Sequence, residues 1–109
     1  MSAQARSDVP RILLIGTVDT KSDELAFLRD CIQQQGGTAL VMDVGVLGRG
    51  GLVPDVTNVQ VAQAAGVTLP EVLASGDENT AMILMARGAS ALASELRAQG
   101  RIEIGRAHV

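Results

Sequence analysis

Residues 16–21 carry the side chains best suited to binding phosphate oxygens, in the order Gly-Thr-Val-Asp-Thr-Lys. Two hydroxyls, a lysine ammonium and the backbone N–H groups of a helix start could hold a phosphate, while Asp19 could orient a ribose hydroxyl or a metal ion. The segment is neither a G-x-G-x-x-G motif nor a P-loop. We therefore predict a nucleotide site formed by Gly16, Thr17, Asp19, Thr20 and Lys21. The alternative is a plain strand–turn–helix connection in which Asp19 and Thr20 only cap the helix.

Asp43 and Gly45 are the second candidate, because they follow another apolar segment. Dinucleotide-binding folds place a ribose-binding carboxylate roughly 20 to 30 residues after the first turn, and Asp43 falls in that range. Asp43 is thus predicted to lie beside the nucleotide. A solvated acid at the end of a strand is the alternative.

A third candidate is the loop 45–54, which carries four glycines. Glycines let a backbone approach a phosphate closely, but they also make flexible connections. Since no helix follows this loop at once, the sequence favours a connection. No nucleophile with a base and no cluster of metal ligands stands out, so catalytic residues are not predicted.

The elements that would position these residues form a strand–helix–strand unit. Residues 11–15 and 38–44 are continuous apolar runs, typical of strands buried on both faces of a parallel sheet. A helix between them is predicted to start at an N-cap, Thr20 or Ser22, and to end before glycines 36 and 37. The connection should make the two strands parallel.

Three further helices are predicted over residues 58–65, 69–74 and 78–99, the first two capped by Thr57 and Thr68. The longest presents an apolar face that we predict to be buried, formed by Met82, Ala86, Ala89, Ala93 and Leu96. Together the elements predict an α/β fold, a Rossmann-like parallel sheet with flanking helices, truncated after two or three strands. With so few strands and an open edge, the chain is expected to associate, so a homo-oligomer is one predicted partner.

The ends of the chain are predicted to stand apart from this unit. Residues 1–10 are expected to be a disordered leader, and 11–102 the N-terminal part of a nucleotide-binding subdomain. A third strand is due after residue 101, but 103–109 lack an apolar run and match the translation of a common sequencing adapter. We predict that 103–109 is a non-native tail without a strand.

The composition of the chain limits the kinds of ligand and the cellular location that can be expected. The 109 residues carry a net charge of −3 and include one Phe, no Trp and no Tyr, which argues against nucleic acid as a ligand. No apolar stretch is long enough for a membrane span, and the N-terminus lacks the plan of a signal peptide. The single cysteine fits a reducing compartment. A cytoplasmic location is the resulting expectation.

Several segments, taken in order, resemble one family. Residues 15–21 (IGTVDTK) are similar to its opening I-G-T-x-D-T-K, and 41–46 (VMDVGV) to its second strand, V-D-V-G-V. Shorter matches recur at the expected spacing at residues 27–30, 54–56, 64–66 and 85–89. The family is that of the ATP-binding, Tm-one-like proteins, which includes a tomato inhibitor of tomato mosaic virus replication and many bacterial members.

The resemblance implies a nucleotide-binding module that is a fragment of a larger, two-subdomain protein. It also implies that Asp43 and Gly45 lie beside the nucleotide. ATP would be the ligand, and Mg²⁺ would accompany it through phosphate oxygens and few carboxylates. Much of the phosphate contact would come from a glycine-rich turn further along such proteins. Two alternatives stay open: an ATP-using enzyme that acts on a small molecule, and a protein-interaction or inhibitor domain.

Overall fold

The protein is an α/β domain with helices on both faces of a parallel sheet. The computed structural model describes residues 10–47 and 51–102 and the backbone of 106–108. Its strands are β1 (Arg11–Gly16), β2 (Thr38–Asp43) and β3 (Arg106–His108). Its helices are α1 (Val18–Gln34), α2 (Asn58–Ala64), α3 (Leu69–Ala74) and α4 (Glu78–Ala98). The predicted fold class is confirmed.

The sheet has the order β2-β1-β3, and both neighbours run parallel to β1. Alternate β1 side chains serve different layers, because successive side chains of a strand point to opposite faces. Leu13 and Ile15 join a core cluster with Val61 and Met85 from α2 and α4. Leu14 joins a second cluster with Leu25 of α1. The continuous apolar run of β1 is thus explained by helices that cover it on both sides.

The third strand corrects one prediction. The sequence pattern indicated no strand after α4, yet residues 106–108 pair with residues 13–15 of β1. A parallel ladder needs only backbone N–H and C=O groups, and β1 offers an edge that β2 leaves unpaired, so no apolar run was required. Whether 103–109 is foreign to the natural protein stays a prediction. Residues 103–105 and 109, like the predicted leader apart from Pro10, lie outside the described residues.

Helix α1 starts earlier than its sequence pattern indicates. Thr17 is its N-cap, and the backbone leaves helical geometry at Lys21 (φ −125°, ψ 23°) before the helix continues. The Ser22 hydroxyl donates to the Val18 carbonyl at 2.6 Å across this break. The predicted start at Thr20 or Ser22 therefore matches only the longer, second part of the helix.

The caps of α2 and α3 are confirmed, since Thr57 and Thr68 each form a complete capping box with the third helical residue. The predicted face of α4 is right at Ala89, Ala93 and Leu96, which are buried. It is wrong at Met82 and Ala86, which are exposed, whereas Met85 and Gly88 are buried. The face is rotated because α2 crosses α4 at Gly88, where the backbone of Val61 comes into contact range.

Candidate functional site

The seven predicted site residues gather at one edge of the sheet, where β1 and β2 end. Gly16 and Asp43 are the last residues of these strands and are paired in register. Thr17 and the first turns of α1 follow β1 directly, and Gly45 follows β2. Ligands of open α/β sheets bind at the carboxyl ends of the strands, so the predicted residues occupy the expected edge.

Asp43 is engaged inside the protein. Its side chain belongs to a residue only 4% exposed, and its Oδ1 accepts hydrogen bonds from the N–H groups of Val18 (3.1 Å) and Gly45 (2.8 Å). Burial raises the pKa of Asp43, and the negative charge of Asp19 raises it further. The hydrogen bonds from the two N–H groups lower the pKa and offset part of this rise. The carboxylate therefore joins the start of α1 to the loop that follows β2.

Gly45 is held by two hydrogen bonds and lies close to the Asp19 side chain. Besides its bond to Asp43, its carbonyl accepts from Nδ2 of Asn58 at 3.0 Å. A Cβ placed on Gly45 would lie 2.7 Å from Oδ1 of Asp19, so a larger residue would displace the Asp19 carboxylate. That carboxylate accepts from the Leu47 N–H at 3.2 Å. Asp19 and Asp43 thus both fasten the β2–α2 loop to the β1–α1 turn.

Asn58 was missed by the sequence reasoning. It is 7% exposed, and its amide supports the loop from the first residue of α2. A polar residue at a helix start is ordinary, so its position gives no signal that the amide is buried.

The backbone of the β1–α1 turn offers fewer free amides than the sequence suggested. The Val18 N–H is used by Asp43, and the N–H groups of Thr20 and Lys21 donate to the Thr17 carbonyl at 3.1 and 2.7 Å. What the turn presents instead is a pair of hydroxyls, the Oγ1 atoms of Thr17 and Thr20, 2.6 Å apart. The Thr17 hydroxyl makes no capping bond to the helix.

Lys21 is the cation of this turn. Its ammonium lies 3.9 Å from Oε2 of Glu24, and both side chains are about half exposed, at 45% and 54%. An exposed pair at this distance is worth little, because water screens it and two long side chains must be held in place. The ammonium can therefore leave Glu24 for a stronger anion.

A pocket of about 280 Å³ opens beside the turn, between the carboxyl edge of the sheet and α4. The sheet side contributes Ile15, Thr17 and Val44, and the helix side contributes Met82, Met85, Ala86, Ala89 and Ser90. Thr17 is the one predicted site residue among this lining. The α4 residues were missed because an apolar stripe at helical spacing is read first as core. The polar Ser90 beside the stripe was the available signal.

Three further observations concern the part of the chain that the structure describes. No three His, Cys, Asp or Glu side chains there are grouped so that they could hold a metal ion. Of the loop glycines, Gly45 and Gly51 are described, whereas Gly48 and Gly50 lie outside the described residues. None of the described helices is both long and apolar enough to cross a bilayer.

Similar proteins were found in several bacteria. A UPF0261 protein of Brucella suis is 46% identical over 99 residues, which cover 91% of this chain and 24% of that protein. A UPF0261 protein of Clostridium tetani is 34% identical over 86 residues (79% and 21%), and one of Rhizobium meliloti is 35% identical over 75 residues (69% and 19%). No solved structure matches significantly.

The chain thus spans about a quarter of the length of the Brucella relative. Residues 10–105 match a protein-family model described as "Uncharacterised protein family (UPF0261) N-terminal domain". This match takes in all the strands and helices from β1 to α4. The chain therefore belongs to the UPF0261 family, of which it represents the N-terminal domain.

Proposed function

We propose that this domain is a nucleotide-binding module that takes ATP at the carboxyl edge of β1. The observation that carries the proposal is the pocket beside Thr17, at the edge where parallel sheets of this kind hold their ligands. The choice of ATP rests on the resemblance to the ATP-binding, Tm-one-like proteins. Because the relatives are about four times as long, the rest of the protein would complete the site.

In this proposal the phosphates contact the hydroxyls of Thr17 and Thr20 and the ammonium of Lys21. The carboxylates of Asp19 and Asp43 lie behind the same turn, so an uncompensated triphosphate would be repelled. Lys21 and a Mg²⁺ ion would offset that repulsion. The ion would be held largely by the phosphate oxygens and water, as Mg²⁺ usually is.

Asp43 and Gly45 have a positioning role in the proposal. Asp43 is buried and its Oδ1 accepts two backbone hydrogen bonds, so it fixes the turn and the loop beside the nucleotide. Gly45 leaves room for the Asp19 carboxylate. Together they keep the two loops at a fixed separation beside the pocket.

The test is calorimetric titration of a full-length protein carrying this domain with ATP, with and without Mg²⁺. Lys21→Ala removes a charge-assisted contact worth about 1.5–3 kcal/mol, so we expect roughly ten- to hundredfold weaker binding. Arg29→Ala is the matched control, because it removes a positive charge from the same helix, where Arg29 pairs with Asp30. Equal affinity of the two variants, or no ATP binding by the wild type, would refute the proposal.

A further inference from the structure

We infer that the pocket along α4 holds the uncharged nucleoside end of the nucleotide, with Ser90 as its polar contact and Thr17 at the boundary with the phosphates. The inference rests on the proposed function and adds to it where each part of the ligand lies. It starts from the pocket's chemistry: none of its lining side chains is ionisable. A phosphate placed there would lose its hydration without gaining a countercharge, so the triphosphate belongs outside.

The size of the pocket agrees with this division. At about 280 Å³ it lies just below the roughly 300–1,000 Å³ typical of pockets that enclose a whole small ligand. It therefore has room for a ring system and part of a sugar, but not for a complete nucleoside triphosphate.

The helix side of the pocket suits a flat heteroaromatic ring. Ala86 and Ala89 keep that wall open, since each contributes a single methyl group. Met82 and Met85 contribute flexible side chains that can adapt to a ligand and whose thioether sulfurs contact aromatic rings favourably. Met82 is 62% exposed, and packing against a base would cover it.

The polar groups connect the pocket to the turn. Thr17 lines the pocket, and its hydroxyl lies 2.6 Å from that of Thr20, so a ligand seated in the pocket can continue directly onto the phosphate-binding turn. Ser90 is on the opposite, helix wall. Within the described chain its hydroxyl has no hydrogen-bond partner, so it is available to a base or sugar.

The experiment uses the full-length protein and three probes: adenosine, tripolyphosphate and ATP. Ala86→Leu fills the pocket with three extra carbon atoms, and Ala91→Leu is the matched control, an exposed alanine of the same helix that does not line it. We expect Ala86→Leu to abolish adenosine binding, to weaken ATP at least tenfold and to leave tripolyphosphate unchanged. Lys21→Ala should do the converse, weakening tripolyphosphate and ATP but not adenosine.

Met82→Ala is a second variant that does not depend on tolerance of added volume, because Met82 is mostly exposed. It should weaken adenosine several-fold while the melting temperature stays at the wild-type value. A folded Ala86→Leu protein that binds adenosine and ATP like the wild type would overturn the inference and leave the proposed function standing. A lower melting temperature with unchanged ATP affinity would also overturn it, because the added side chain would then disturb packing without displacing a ligand. Failure of the wild type to bind ATP would instead refute the proposed function.

Discussion

Gly88 lies where α4 packs tightly against the backbone of α2, and its replacement by alanine tests the helix packing. The residue is buried in the middle of α4. A Cβ added there would collide with the carbonyl oxygen of Val61 and lie 2.9 Å from its carbonyl carbon and 3.1 Å from its Cγ1. The obstacle is backbone, which cannot turn aside as a flexible side chain can.

Two opposing effects determine how much Gly88→Ala changes the free energy of unfolding. Alanine is the better helix former by about 1 kcal/mol. Overpacking of a core costs about 1–3 kcal/mol, and a backbone obstacle places this site in the upper part of that range. The variant should therefore be less stable by about 1–2 kcal/mol. For a domain of this size that corresponds to a melting temperature lower by about 4–16 °C.

The assay is thermal and urea denaturation followed by circular dichroism. Gly51→Ala is the control, because a Cβ there would meet no atom of the described residues within 4 Å. It should change the free energy of unfolding by no more than about 0.5 kcal/mol. A Gly88→Ala protein stabilised by about 1 kcal/mol would show helix propensity acting alone. The close crossing of α2 and α4 would then be refuted.

Three other predictions concern the caps and the loops. Thr68→Ala should lower the free energy of unfolding in urea by about 1 kcal/mol, because it removes a capping box. Thr17→Ala should lower it much less, because the Thr17 hydroxyl makes no cap bond. Equal losses of stability in the two variants would contradict this. Burial, together with the charge of Asp19, raises the folded-state pKa of Asp43 above 3.8, so its contribution to stability is fully present below pH 3.8 and is lost as the pH rises through the folded-state value. Asp43→Asn keeps an oxygen for both N–H donors, so denaturation over a pH series should show that this dependence has vanished; a wild-type slope in the variant would disprove the assignment. Gly45→Ala should push away the Asp19 carboxylate and free the Leu47 N–H, and faster amide exchange at Leu47, with the exchange of β1 amides unchanged, is the expected result.

Much of the fold could be predicted because its signals are local. The capping boxes of α2 and α3 link residues three positions apart, so Thr57 and Thr68 could be read directly from the sequence. The apolar runs of β1 and β2 likewise indicated strands covered on both faces. A helix between β1 and β2 makes these strands parallel, so their carboxyl ends were predicted to meet at one edge of the sheet, where the candidate site lies.

The rest was decided by contacts between distant segments. The buried face of α4 depends on its crossing with α2 at Gly88 and Val61, which are 27 positions apart, and no local pattern encodes such a crossing. The same holds for Asp43: its sequence position suggested a ribose contact, which stays a prediction, but only the fold shows that its Oδ1 accepts from the Val18 N–H, 25 residues away. The pocket also exists only once α4 lies across the end of β1. Local chemistry therefore determined where the turn and strands fall, while the packing of the layers determined which of their polar groups are left for a ligand.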